Sequence, residues 1–280
     1  MSQLVLAIVL CAAFLDSIQH LLIKASRDPA TMSIMVAVLG GLVGLAVLAV
    51  TGLPDPAAYP WLAASVLVGC LYWIALGWAY HTSTLGLVFP LSRGSAVVLT
   101  TIGAVALMQE DLSRPQMLTV CAVVAGLVIV AATNARGNLP KVPVLPSLVV
   151  GTLIAAFTLI DAVGVRAAGS AIAYCAAIYI GNALGVGGYA LLCQRRQLLS
   201  FGAGQTAMAL GLAILSITIY TMILFALTKA PVALVAALAE TSIVFAAFLG
   251  LFWLREPARV GRLAGVAIVA SGVVILKLAQ

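Results

Sequence analysis

The chain has 280 residues, 64% of them hydrophobic and only 8% charged, whereas soluble domains carry about a quarter charged residues; a soluble globule is excluded. Fourteen Lys and Arg against eight Asp and Glu leave a formal charge of +6, too small and too scattered for a nucleic-acid surface. A membrane span takes about 20 apolar residues, so ten spans would use about 200 positions and leave about 80 for connections and tails, with no room for a soluble domain.

Apolar runs place predicted spans at 3–24, 31–51, 59–80, 84–108 and 115–134, then at 147–168, 171–192, 205–228, 231–254 and 260–279. Each reads as a helix, because a lipid-exposed backbone must satisfy itself internally and these runs are too long for barrel strands. The first run has no basic start, and Cys11, Asp16 and His20 stand where a signal peptide needs small residues, so it reads as a retained span. Within it Asp16 and His20, four apart, share a face with Gln19 beside them. That pair reads either as a proton-coupling site or as a hydrogen-bonded pair satisfying itself in a helix contact. Gly40 with Gly44 in the second span, and Gly181 with Gly185 in the seventh, have the small-xxx-small spacing of close helix contacts.

In the third span Tyr72, Trp73 and Tyr80 fall together on the helix, placed to line a cavity and meet a cation or an aromatic ring. Tyr80, Trp61 and Trp253 are also near span ends, where interfacial aromatics are normal. In the fourth span Pro90 leaves the carbonyl of Gly86 without its usual helical partner. The resulting kink either exposes backbone polarity beside Arg93 or is an ordinary proline kink. The longest polar and proline interruption is Arg136 to Pro143; it divides the chain into 1–137 and 138–280, five spans each. In the sixth span Asp161 is a cavity candidate or a partner for Arg166, and Pro231 sits where the ninth helix begins. The cysteines Cys11, Cys70, Cys121, Cys175 and Cys193 form no CxxC pair and read as packing residues, so neither a metal nor another cofactor is expected.

The two halves align with each other. An offset of 146 carries Glu110 to Glu256, Ala104 to Gly250, Val123 to Val269 and Gly126 to Gly272, while 144 carries Ala37, Gly41 and Gly44 to Gly181, Gly185 and Gly188. Five spans is an odd number, so the second copy inserts upside down, as in inverted-repeat transporters that bind substrate near the midplane. Arg93 and Glu240 each lie nine residues into their predicted spans, about 14 Å deep at about 1.5 Å per residue. An intramembrane charge is costly and should face a cavity or a partner. Arg93 is therefore expected to hold a substrate carboxylate or phosphonate through its planar fork, and Glu240 to meet an ammonium or exchange a proton. The alternative is a structural bridge between the two, and both hold if the bridge forms when the site is empty.

The stretches Ala233 to Val244, Phe252 to Pro257, Gly265 and Ser271 to Gly272, with Val88 to Ser95 and Gln109 to Ser113 in the first half, resemble the EamA repeat of the drug/metabolite transporter superfamily. The resemblance covers the whole chain. It implies an all-α integral membrane protein of ten helices in two five-helix inverted repeats. It also implies transport of a small metabolite, commonly export, across a bacterial cytoplasmic membrane. Glu110 and Glu256 resemble the glutamate that ends each repeat, and their places at helix ends suggest loop capping or gating.

The expected function is secondary active transport of a small amphipathic metabolite, amino acid-like or otherwise zwitterionic or anionic, with protons as candidate coupling ions. The partners are that substrate and the lipid bilayer, without nucleic acid, in a monomer or weak homodimer. A lipid-linked flippase and a multidrug or organic-cation exporter of the same fold are the alternatives. An enzyme is disfavoured, because no paired acidic motif for a metal and diphosphate occurs. Lys24, Arg27, Arg136, Lys141, Arg195, Arg196, Arg255, Arg259 and Arg262 fall on one side of the bundle, against four basic residues on the other. The positive-inside rule puts the richer side in the cytoplasm and both termini outside. The resemblance implies the reverse, so orientation stays open.

Overall fold

The computed structural model describes residues 1–26, 28–82, 85–134, 144–193, 202–245, 249 and 260–278. These form α1 (Gln3–Ala25), α2 (Pro29–Thr51), α3 (Tyr59–Thr82), α4 (Leu85–Met108) and α5 (Arg114–Asn134). After the seam come α6 (Val144–Ala167), α7 (Ala171–Cys193), α8 (Ala203–Leu227), α9 (Val232–Ala239) and α10 (Val260–Leu278), and a short 3₁₀ turn at Pro56–Ala58 precedes α3. Among the described residues there is no strand. Among the described residues six segments are long and apolar enough to cross a membrane: Gln3–Ile23, Thr31–Thr51, Leu91–Met108, Leu145–Ala167, Ala171–Ala190 and Ala203–Leu227. Large apolar side chains such as Leu107, Leu184 and Leu192 stand outward and bare. Water would penalise that surface and lipid does not, which fits a multi-pass membrane protein.

The helices start and stop within a few residues of the hydropathy breaks, except in the ninth predicted span. That span was expected unbroken from 231 to 254, but α9 ends at Ala239 and the chain turns at Glu240 and Thr241 before becoming helical again at 242–245. No Pro or Gly lies there. The turn is tightened instead by Thr241, whose backbone N–H and hydroxyl both donate to the Leu238 carbonyl, at 3.0 and 2.7 Å. A threonine that offers the backbone an alternative partner competes with the regular helix ladder. At the other end of α9 Pro231 is the N-cap, as its position suggested.

Packing follows the small residues. α2 lies along α7, α5 along α10, and α6 against both α3 and α4. A Cβ on Gly44 would stand 2.7 Å from the Ala176 carbonyl oxygen of α7, so only glycine permits that approach. Gly181 and Gly185 instead face Val66 and Cys70 of α3. Gly126 and Gly265 meet where α5 crosses α10, each against the other's carbonyl, and farther along the Thr119 hydroxyl donates to the Gly272 carbonyl at 3.0 Å. The main core cluster gathers at the end of the bundle where α1 begins and α10 ends. There the first turns of α9, with Val232, Leu234 and Val235 fully buried, are enclosed by Val5, Val9, Tyr174 and Leu224. This apolar plug leaves the middle of the bundle as the place where a cavity can persist.

Candidate functional site

A cavity of about 300 Å³ lies in mid-bundle, between α1, α3 and α4 of the first half and α6, α7, α8 and α9 of the second. Arg93 reaches it from α4 and Glu240 from the turn that ends α9. The Arg93 guanidinium donates to Glu240 Oε1 at 3.0 Å. The Arg93 side chain is 22% exposed and that of Glu240 6%, so the arginine is the more accessible partner. Glu240 Oε2 is buried and has no hydrogen-bond partner among the described residues. A buried carboxylate oxygen left unpaired is costly, and this one is available to a donor beyond those the described residues supply.

The rest of the wall is mainly aliphatic, with aromatic rings and a few polar side chains set into it. Tyr72 of α3 stands edge-on to Phe157 of α6, centroids 5.8 Å apart, and Tyr179 of α7 faces Tyr220 of α8 at 6.5 Å. Asp16 and His20 line the same cavity from α1 and approach each other at 3.5 Å. Beside them Gln19 donates to the Ser216 hydroxyl at 3.3 Å, and that hydroxyl also bonds the Tyr179 hydroxyl at 2.7 Å. The predicted residues Asp16, His20, Tyr72, Arg93 and Glu240 thus share one cavity.

Asp161 is placed differently from the expectation. It is 1% exposed, is absent from the cavity lining, and does not pair with Arg166. Its oxygens accept from the hydroxyls of Tyr174, at 3.0 Å, and Tyr220. Arg166, five residues on, donates to the Leu227 carbonyl at 2.9 Å and lies 3.7 Å from Glu110. The physical reason is direction: α6 sends Asp161 toward α7 and α8, where tyrosine donors meet it, and sends Arg166 to the carbonyl end of α8. Glu110 caps the start of α9, accepting from the backbone N–H of Val232 at 2.8 Å and of Ala233 at 3.4 Å, the place where a negative charge complements the helix dipole.

Trp73, Tyr80, Gly86 and Pro90 lie within α3 and α4, with their side chains outside the described residues, and Glu256 lies outside them altogether. Sequence reading missed Tyr179, Tyr220 and Phe157. A signal existed for the tyrosines: a mid-span phenol needs a hydrogen-bond partner in the interior, and both find one. Among the described residues no group of three His, Cys, Asp or Glu side chains could hold a metal ion.

No family profile matches the chain, and no curated protein matches it. Solved structures do: 28 chains match. One of them, a protein crystal structure, aligns over 100% of both chains with a TM-score of 0.78 at 16% identity. At that identity the likeness speaks for the fold.

Proposed function

We propose that this protein is a secondary carrier that moves a small zwitterionic or anionic metabolite across the cytoplasmic membrane by alternating access. The observation that carries the reading is the Arg93–Glu240 pair, 3.0 Å apart on the wall of the mid-bundle cavity. With the site empty, each charge neutralises the other. A ligand bearing both an acid and an ammonium replaces that one pair with two, the acid on the Arg93 fork and the ammonium on Glu240. Neither state leaves a bare charge in low dielectric, the arrangement that costs most. The unpartnered Glu240 Oε2 fits the same account, since an ammonium brings more donors than Arg93 alone uses.

The reading of two five-helix inverted repeats, at 1–137 and 138–280, is supported by the α5–α10 crossing. An offset of 146 carries Gly126 to Gly272 and Thr119 to Gly265. The contacts Gly126 with Gly265 and Thr119 with Gly272 are therefore the pair that a two-fold axis relating the copies would exchange. The α9 helix interrupted at Glu240 adds support, because broken helices mark the binding sites of many carriers.

A thermal-shift screen of the purified protein against amino acids, aminophosphonates and organic cations tests the proposal, since a ligand of the folded state raises its apparent stability. A zwitterion should raise the unfolding temperature of the wild type and leave that of Arg93→Ala unmoved. Stabilisation by simple organic cations that survives in Arg93→Ala would overturn the assignment, as would stabilisation that requires a lipid tail.

A further inference from the structure

Asp161 takes no part in the substrate contacts proposed above, and its surroundings have a chemistry of their own. We infer that Asp161 is a proton-binding site, sensed in the cavity through Tyr220. Its use in driving transport rests on the carrier reading, but its chemistry does not.

The carboxyl is buried, and what faces it is neutral. Tyr174 donates to Oδ1 and Tyr220 to Oδ2, and the buried Ser65 hydroxyl of α3 lies near enough to favour the charged form. The Cys175 thiol, also on α7, turns away to the Ile217 carbonyl at 3.6 Å. On its own helix Arg166 is committed to the Leu227 carbonyl. Of the other helices packed on α6, α4 brings Arg93 and the end of α9 brings Glu240, and these two hold each other. Among the described residues, then, no Lys or Arg neutralises Asp161. Two phenol donors can hold an ionised carboxylate, and a neutral acid escapes the cost of buried charge. Both forms are therefore within reach of this one pocket.

The neutral acid has a proton of its own to donate, so one of the two phenols must turn from donor to acceptor. Tyr174 is fully buried, its hydroxyl packed over Gly164, where Trp61 also closes in. Tyr220 has the cavity on its other side, with Tyr179 edge-on to it. It is the phenol with space to reverse. In the step itself a proton from cavity water joins the Tyr220 oxygen while the hydroxyl's own proton passes to Asp161 Oδ2. Tyrosine ends neutral, the carboxylate becomes a carboxylic acid, and the cavity loses one positive charge; the reverse step returns the proton. Each cycle changes by one unit the charge standing behind the Arg93–Glu240 pair.

Infrared difference spectroscopy of the full chain in phosphatidylcholine vesicles, stepped from mildly alkaline to mildly acidic pH, reads this site with the proton as its only probe. The wild type should gain a protonated-carboxyl C=O band on acidification, and Asp161→Asn should lose it. Tyr220→Phe keeps the carboxyl and the ring packing, and should retain the band at a shifted frequency because the acid has lost a hydrogen-bond partner. If Asp161→Asn yields no folded protein, the Tyr220→Phe shift decides alone. No band in the wild type, the same band in Asp161→Asn, or an unmoved band in Tyr220→Phe would overturn the inference. Any of these with ligand-induced stabilisation intact sinks the proton site and leaves the carrier; the band without any stabilising zwitterion does the opposite.

Discussion

Arg93 and Glu240 were brought to notice by depth alone, since each is a charge far inside an apolar run, entering from opposite ends of the bundle. Their 3.0 Å contact turns that coincidence of depth into an interaction whose energy can be measured. Removing one partner of a buried pair strands the other and costs about 3–5 kcal/mol, whereas removing both is far milder. Arg93→Met and Glu240→Met should each lower the unfolding midpoint in detergent, and the double variant should recover part of the loss. A coupling energy of at least about 1 kcal/mol is expected from the double-mutant cycle, and strict additivity would mean that the pair contributes nothing. Asp161 was legible only as a buried acid. Its partners come from α3, α7 and α8, and no spacing within one helix announces a contact made across 59 residues to Tyr220.

At the scale of the helix, hydropathy located the elements closely because lipid imposes a length and forbids an unsatisfied backbone. It failed at the end of α9, where the tertiary turn overrides an apolar run. The cue was the polar triplet Glu240, Thr241 and Ser242, in which the Thr241 hydroxyl competes for a backbone partner. The glycine spacings correctly marked surfaces of close approach, but not which helix approaches: Gly181 and Gly185 face α3. These contacts make a paired prediction. Gly44→Ala sets a Cβ 2.7 Å from a backbone oxygen of α7 and should destabilise by about 1–3 kcal/mol through overpacking. Gly211→Ala in α8 meets nothing within 4 Å and should be neutral or mildly stabilising, in line with alanine's higher helix propensity. Thermal unfolding of the two variants side by side checks this, and equal loss would remove close packing as the reason for Gly44.

For the molecule as a whole, composition alone excluded a soluble globule, and the internal repeat suggested how two halves enclose a midplane site. A mid-bundle cavity is walled by both halves, and the main apolar cluster packs at the end of the bundle where α1 begins and α10 ends. Three aromatic residues of that wall were hidden from sequence reading because Phe157, Tyr179 and Tyr220 belong to three different helices that only tertiary packing brings together. The most direct test is flux. Proteoliposomes of the wild type should take up a radiolabelled zwitterion identified by its thermal shift, and Arg93→Ala, reconstituted to the same density and folded, should show no uptake above empty liposomes. Full uptake by Arg93→Ala would contradict the account.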